Sequence, residues 1–301
     1  MEHPKKFQRQ RSVKELVIPN DKLSKKVMHL TDDKFRGCFG GSYGEVDEEF
    51  KFKGEQVTSQ FWFELKDDVT DLRALDEFDF DVLVACISAQ DVGCEGVTLT
   101  EINRIMSGGK VHNTNLYPPR REKILQSVKR MMRTTLQVDF TKLAKTGKYP
   151  DLPESGRLTS TILPCSLLEG ATINGRHIED AVHFQGVSPL LIIAKTKSQL
   201  LRCPVGLLDV PKQNNTETVT KLKNYVTRRV LEIQAHKNLK PTICFKSIYE
   251  NCGLKDATKW QLQDARKTIL EVLKHLKEQG AMRDYAIEKE GNSYRAVNIV
   301  R

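Results

Sequence analysis

The strongest constraint on the fold is the order of hydrophobic periods in residues 216–300. Apolar residues recur at helical spacing in three successive stretches, and a short β-prone step, Thr242–Cys244, separates the first from the second. Two further β-prone runs, Met282–Glu288 and Ser293–Val300, flank a Gly-Asn turn. The sequence therefore predicts helix, short strand, helix, turn, helix and hairpin, in that order.

Capping and stop residues place the ends of these elements. Thr216 is a suitable N-cap for the first helix, and Gly253 stops the second. The third helix is predicted from about Thr258 to Gln279, with Gly280 ending it. A boundary is predicted near Pro211–Asn215, where polar residues and Pro interrupt the apolar pattern.

This order is typical of a winged helix-turn-helix, in which the third helix enters the major groove of DNA and the hairpin contacts the backbone beside it. The residue types fit, because Arg can pair with guanine, Gln with adenine, and Lys with phosphate. A plain amphipathic helix with a solvated basic face remains the alternative. The DNA-binding candidates here are Arg228, Arg229, Lys255, Lys259, Gln263, Arg266, Lys267, Lys289 and Arg295.

The middle of the chain repeats this plan. An amphipathic helix around Phe80–Ile87 precedes a short helix, for which Thr98 and Glu101 form a predicted capping box. Pro118 then opens a basic third helix, followed by a strand at Leu136–Phe140. The candidate DNA contacts of this helix are Arg120, Arg121, Lys123, Lys129, Arg130 and Arg133.

The fold class predicted is α+β, with two tandem winged helices of which the first has an enlarged β wing. The wing would contain strands at Leu158–Leu163 and Ala181–Phe184, with an Asn-Gly hairpin turn between them. The buried run Ser188–Ala194 is compatible with either helix or strand. Two aromatic segments, Phe50–Lys53 and Phe61–Glu64, are predicted strands whose partners the pattern does not identify.

Three regions follow from these patterns. Residues 1–30 are expected to be a flexible basic tail, and residues 31–212 a first winged helix with an N-terminal β extension. Residues 213–301 form the second winged helix.

Charge is segregated along the chain, whose net charge is +9. Residues 45–103 carry 16 acidic and 4 basic side chains, whereas residues 110–133 carry 7 basic and 1 acidic. The two basic zones, the second of which begins at residue 213, are either solvated helix faces or footprints for an acidic polymer. Six Asp residues at positions 67, 68, 71, 76, 79 and 81 are expected in a solvated loop and helix start rather than in a magnesium site.

Other function classes find little support in the sequence. No apolar run is long enough to span a bilayer, and the charged N-terminus lacks a secretory signal pattern, so we expect a cytoplasmic protein. The seven cysteines show no C-x-x-C pair and are expected to be buried free thiols. Because no P-loop and no hydrolase or metalloprotease signature occurs, we expect no enzyme activity, no metal and no cofactor.

The stretch from Phe78 to the C-terminus resembles the iteron-binding replication initiators of bacterial plasmids, phages and mobile elements. The closest local matches are Ser188–Leu191 with Gln199–Leu201, and Leu222–Val230, which resemble the segment joining the two winged helices of those initiators. The resemblance implies binding of origin repeats through both third helices. It also implies dimers that repress their own promoter, and monomers that open the origin and recruit the host initiator and helicase.

Rival functions remain open on sequence grounds. A winged-helix transcriptional repressor would bind an inverted repeat at a promoter as a dimer. An enzyme that acts on nucleic acid would show nicking or ATPase activity, and a structural interaction protein would show no salt-sensitive DNA binding.

Overall fold

The structure of the chain is a computed structural model. The structure describes residues 12–21, 24, 43–52, 55–64, 75–109, 116–139, 157–170, 172–173, 176–177, 179–196, 198–211, 213–291 and 293–301. The predicted flexible tail, residues 1–30, is described only at residues 12–21 and 24, and there Glu15–Pro19 is a paired and mostly buried strand, which corrects the prediction. Asp67, Asp68 and Asp71 lie outside the described residues.

Helices and strands alternate in an α+β arrangement, as predicted. The helices are α1 (Glu77–Asp91), α2 (Leu99–Met106), α3 (Pro118–Arg133), α4 (Pro189–Thr196), α5 (Glu217–Ala235), α6 (Phe245–Asn251) and α7 (Lys259–Glu278), with a 3-10 turn at Val205–Leu208. The strands are β1 (Glu15–Pro19), β2 (Tyr43–Phe52), β3 (Glu55–Glu64), β4 (Gly96–Thr98), β5 (Thr134–Asp139), β6 (Arg157–Thr161), β7 (Cys165–Leu168), β8 (Thr172–Ile173), β9 (Arg176–His177), β10 (Ala181–Phe184), β11 (Leu200–Pro204), β12 (Thr242–Cys244), β13 (Asp284–Glu290) and β14 (Ser293–Val300).

The C-terminal unit, α5 to β14, has the element order that the sequence predicts. Thr216 accepts a hydrogen bond from the backbone N–H of Val219, and Thr258 forms a capping box with Gln261 at the start of α7. Gly253 and Gly280, which follow α6 and α7, have φ angles of 74° and 73°, so both predicted stops are confirmed. The three strands form one antiparallel sheet in the order β12-β14-β13.

The first unit, α1 to β10, repeats this topology. Its three-stranded sheet has the order β4-β10-β7, so in both units the short strand after the first helix pairs with the last strand. Strand β4 (Gly96–Thr98) is absent from the sequence prediction.

The strand after α3 corrects the predicted plan. The sequence assigns Leu136–Phe140 to the place after the third helix, but β5 (Thr134–Asp139) joins a different sheet, in the order β2-β3-β5-β6. This sheet gives the two aromatic strands their partners: β2 pairs with β3, and β3 pairs with β5. Strands β8 and β9 pair on either side of the predicted Asn-Gly turn, whose own residues are outside the described part. The run left open, Ser188–Ala194, is mostly helix α4.

Helix α1 lies at the centre of the first unit. The sequence predicts an amphipathic helix there, but α1 is buried on nearly every side because β1, α2, α3 and α5 all contact it. One continuous cluster of buried apolar side chains includes α1, α5 and α7 and so joins the two units. Strand β1 pairs with β11 and closes the core on the other side of α1.

The described cysteines correct one expectation. Cys86, Cys165, Cys203 and Cys252 are buried free thiols, as expected, but Cys94 is half-buried and Cys244 is exposed at the end of β12. Alternation along the strand directs Ile243 inward and Cys244 outward. No helix within the described residues is long and apolar enough to cross a membrane.

Candidate nucleic-acid interface

The outward face of α7 holds most of the C-terminal candidates. The helix buries Ala265, Ile269, Val272 and Leu276 against the core, at the spacing of one helical face. The opposite face is therefore exposed to solvent. Its predicted contacts are Lys259, Gln263 and Lys267, with Lys255 exposed in the preceding turn.

Arg266 is placed differently from the prediction. Its guanidinium lies over the ring of Tyr294 on β14, 4.4 Å from the ring centroid, and the residue is half-buried. The ammonium of Lys289 on β13 lies 4.8 Å from the same centroid. Arg266 therefore attaches α7 to the hairpin, while base reading by Arg266, as the sequence suggests, stays a prediction.

The hairpin places two more candidates on the surface beside α7. Lys289 and Arg295 are exposed, and Arg295 Nε lies 3.5 Å from a carboxylate oxygen of Glu288. An ion pair so exposed contributes little to stability, which leaves Arg295 able to exchange Glu288 for a phosphate. A β-bulge between Glu288 and Lys289 adds twist at this point of β13.

Trp260, which the sequence reasoning did not single out, is the most exposed large apolar side chain of the described residues, at 76%. It lies in the first turn of α7, between Lys259 and the cap partner Gln261. The signal was available in the sequence. A tryptophan two residues after the N-cap Thr258, at a position three residues before Gln263, falls off the buried stripe.

Most basic residues of α3 are paired with other groups of the protein, although Lys123 among them is exposed. Arg120 is buried: its Nε donates to Asn103 Oδ1 over 3.0 Å, its Nη2 donates to Thr220 Oγ1 over 3.2 Å, and its guanidinium lies 4.7 Å from the Phe78 ring centroid. Burial lowers the pKa of Arg120 to about 10. The other partners are Asp180 for Arg121, Glu217 for Lys123, Glu169 for Lys129 and Asp79 for Arg130. Arg133 is half-buried.

The Arg-Arg pair of α5 also faces inward. Arg228 is buried, with Nη2 2.8 Å from Glu77 Oε1 and its guanidinium 4.6 Å from the Phe80 ring centroid. Burial acts to lower the pKa of Arg228, but the charge and hydrogen bond of Glu77, together with the charges of Glu232 and Asp81, outweigh burial and raise that pKa. Arg229 pairs with Glu232 on the same helix. We regard Arg228 as part of the core, and its predicted phosphate contact as disfavoured by that burial.

Carboxylates of α1 and its N-cap supply the partners of Arg130, Arg228 and Lys221. Asp76 caps α1 in a capping box with Asp79 and pairs with Lys221 over 2.8 Å, while Asp79 pairs with Arg130 over 2.5 Å. Asp81 is buried as well, and burial raises its pKa well above the usual value. The expectation of a solvated acidic segment is therefore wrong for Asp79 and Asp81, although the helix start is confirmed. Part of the charge segregation in the sequence serves packing between α1, α3 and α5.

The predicted capping box of α2 is only half formed. Thr98 accepts from the backbone N–H of Glu101 over 3.2 Å, as predicted. The Glu101 carboxylate instead binds the guanidinium of Arg104, one helical turn further along. Within the described residues, no cluster of three or more His, Cys, Asp or Glu side chains is arranged to hold a metal ion.

Comparisons with known proteins add little. No protein-family model matches the chain, and no curated protein matches it either. Two crystal structures of domains 2 and 3 of RctB resemble it at TM-scores of 0.38, with 14% and 13% sequence identity. The alignments cover 86% and 87% of this chain and 91% and 92% of those chains. A TM-score this low does not indicate a common fold, so the likeness supports none of the proposals below.

Proposed function

We propose that the chain is a double-stranded DNA-binding protein that recognises origin repeats and starts replication of a plasmid or other mobile element. The C-terminal unit would be a winged helix, with α7 in the major groove and the β13–β14 hairpin on the backbone. The chain would act by binding, without enzymatic activity.

The observation that carries this proposal is the exposed surface formed by α7 and the hairpin. Lys255, Lys259, Gln263 and Lys267 lie on or just before α7, and Lys289 is exposed on the adjacent strand. This surface offers a hydrogen-bonding side chain for base edges together with cations for phosphates, which is the composition that groove recognition requires. Cations exposed on one surface would release counterions from DNA on binding.

The repeated topology supports the choice of an initiator. The first unit has the same strand order as the C-terminal unit and precedes it in a single chain. Two such units in one chain suit a long asymmetric repeat better than a palindrome read by two identical subunits. Contact of DNA with α3 would require the ion pairs of Arg121, Lys123 and Lys129 to exchange carboxylates for phosphates. A repressor that binds an inverted repeat remains an outcome of the test.

The test is fluorescence anisotropy with DNA that flanks the gene, at several salt concentrations. Tight binding to direct repeats, with one protein per repeat and a penalty of about 10³ or more for scrambled DNA, is expected of an initiator. Binding restricted to an inverted repeat over the promoter would favour the repressor. Weak binding that ignores sequence would refute both.

Lys289 provides a variant that tests the docking geometry. Lys289→Ala is expected to weaken binding to cognate and scrambled DNA by the same factor, and to lower the slope of log affinity against log salt by about one. Lys246→Ala is the matched control, because Lys246 is an exposed lysine on α6 outside the proposed surface. An unchanged salt slope for Lys289→Ala would remove the hairpin from the interface.

A further inference from the structure

We infer that Trp260 is a DNA-reading residue that packs its indole ring against a thymine methyl group in the major groove. The inference rests on the proposed function and adds to it the residue at α7 that distinguishes thymine from the other bases. It assigns a specificity-determining role to a side chain that carries no charge.

Trp260 shares one face of α7 with two of the predicted DNA contacts. Trp260, Gln263 and Lys267 are spaced i, i+3 and i+7, so they form one stripe along α7. This stripe lies opposite the buried Ala265 and Ile269. Arg266 is turned aside toward Tyr294, which leaves the stripe as the outermost part of the helix. If α7 enters a groove, Trp260 enters with Gln263.

The ring of Trp260 is largely exposed to solvent. A tryptophan side chain that is 76% exposed gives up most of the free energy available from burial of its ring. Among the residues that the structure describes, it makes no aromatic contact of the kind that joins Phe245 to Tyr294. Its ring is therefore available for an external partner without any rearrangement of the fold.

An exposed aromatic residue also lies at the start of the third helix of the first unit. Among the described residues, the exposed large apolar side chains include two aromatic ones, Trp260 and Tyr117, the latter at 70%. Tyr117 is the N-cap residue of α3, and Trp260 is in the first turn of α7, so both mark the N-terminal end of the third helix of a unit. The N-terminal end of a recognition helix is the part that contacts base edges.

The charges around Trp260 and the apolar face of its ring indicate which ligand it would contact. The exposed charges around Trp260 are Lys255, Lys259 and Lys267 against Asp256 and Asp264, so their net charge is positive and favours a polyanion. In the major groove the apolar feature of a base pair is the C5-methyl group of thymine. An indole has no acceptor and one N–H donor, so its large apolar face suits that methyl group.

The chain offers a direct readout, since it has two tryptophans, Trp62 and Trp260. Trp62→Phe leaves Trp260 as the single tryptophan in an otherwise complete protein. With the DNA selected above, its emission is expected to shift to shorter wavelength and to become protected from acrylamide quenching. Unchanged emission and quenching, while anisotropy of labelled DNA reports full binding, would overturn the inference.

The methyl contact is tested by replacing single thymines of the site with uracil, which removes only the C5-methyl group. At one position the wild-type chain is expected to lose about fourfold in affinity, the value of one buried methylene-sized group. Trp260→Ala is expected to bind thymine and uracil sites equally. Equal sensitivity of wild type and Trp260→Ala to uracil at every position would refute the methyl contact.

A control variant, together with the DNA binding of the wild type, distinguishes failure of this inference from failure of the proposed function. Val187→Ala removes another exposed apolar side chain, 49% exposed and outside α7, and should keep the full uracil effect. If neither wild type nor Trp62→Phe binds DNA with a dependence on salt and sequence, the proposed function itself fails. If both bind but Trp260 stays open to quencher, only the present inference fails.

Discussion

At the scale of single residues, burial decides which basic side chains can meet a ligand. Arg266 and Lys267 are adjacent in the sequence, yet Arg266 lies on the Tyr294 ring while Lys267 is exposed and 3.3 Å from Asp264. The sequence pattern places both residues on the polar face of the helix. Helical periodicity carries no information about the hairpin that packs beside Arg266.

We expect a measurable coupling between Arg266 and Tyr294. A double-mutant cycle of Arg266→Ala and Tyr294→Leu should give an interaction free energy of about 0.5–1 kcal/mol in urea unfolding. The cycle of Lys259→Ala with Tyr294→Leu is the control and should give a value near zero. A negligible coupling for Arg266 would return this residue to the list of free base-reading candidates.

Lys223 shows how burial makes stability depend on pH. It is 1% exposed, its Nζ donates to Asn215 Oδ1 over 2.6 Å, and burial lowers its pKa to about 8 from 10.5. Between those two values the unfolded chain binds more protons at this group than the folded chain does. The contribution of Lys223 to the free energy of unfolding therefore rises as pH rises from about 8 to about 10.5.

The measurement is the difference in unfolding free energy between wild type and Lys223→Met at several pH values. The free energy of unfolding of the wild type should increase relative to that of the variant as pH rises from 8 to 10. Lys274→Met, at an exposed position of α7, should show no such trend. A constant difference between wild type and Lys223→Met would mean that Lys223 keeps an ordinary pKa in the fold.

At the scale of elements, the ends of helices depend on single glycines to different degrees. Gly108 after α2 has a φ of 94°, and a Cβ there would lie 2.3 Å from the backbone nitrogen of Asp209. Gly253 after α6 has a φ of 74° and open space around the Cβ position. The first glycine is required by both backbone conformation and close approach, the second by conformation alone.

Ala substitutions should separate these two causes. Gly253→Ala is expected to lower the free energy of unfolding by about 1–2 kcal/mol through backbone strain. Gly108→Ala should cost about 1–3 kcal/mol more, because the segment containing Asp209 must move. Equal losses of unfolding free energy in urea titrations of the two variants would show that the segment containing Asp209 moves aside at no cost in free energy.

At the scale of the whole molecule, ion pairs at the α1–α5 junction connect the two units. Glu77 and Arg228 are both buried, and Asp76 with Lys221 extends the contact toward the N-terminal end of α1. The apolar cluster is continuous across the same junction. The units are therefore expected to unfold together.

Removal of one partner of the buried pair tests this junction. Glu77→Ala should lower the free energy of unfolding by about 3–5 kcal/mol, since Arg228 is then left buried and unpaired. Asp264→Ala breaks an exposed pair with Lys267 and should change it by less than about 0.5 kcal/mol. Two separate unfolding transitions in the wild type would contradict the view that the junction couples the units.

The sequence by itself determined the local elements. Hydrophobic period, Thr caps at positions 216 and 258, and stops at Gly253 and Gly280 are properties of neighbouring residues, so the C-terminal order of helices and strands could be predicted from them. The N-cap threonines act through the next three residues, which are also neighbours in the chain.

Only the tertiary structure decided which charges are available to a ligand. Glu77 and Arg228 are 151 positions apart, and Arg120 and Thr220 are 100 apart, so no local pattern links them. The same holds for β5, whose sheet partners β3 and β6 are set by long-range pairing. Local sequence reports which side of a helix is polar, but burial depends on what packs there, and that is known only once distant segments have met.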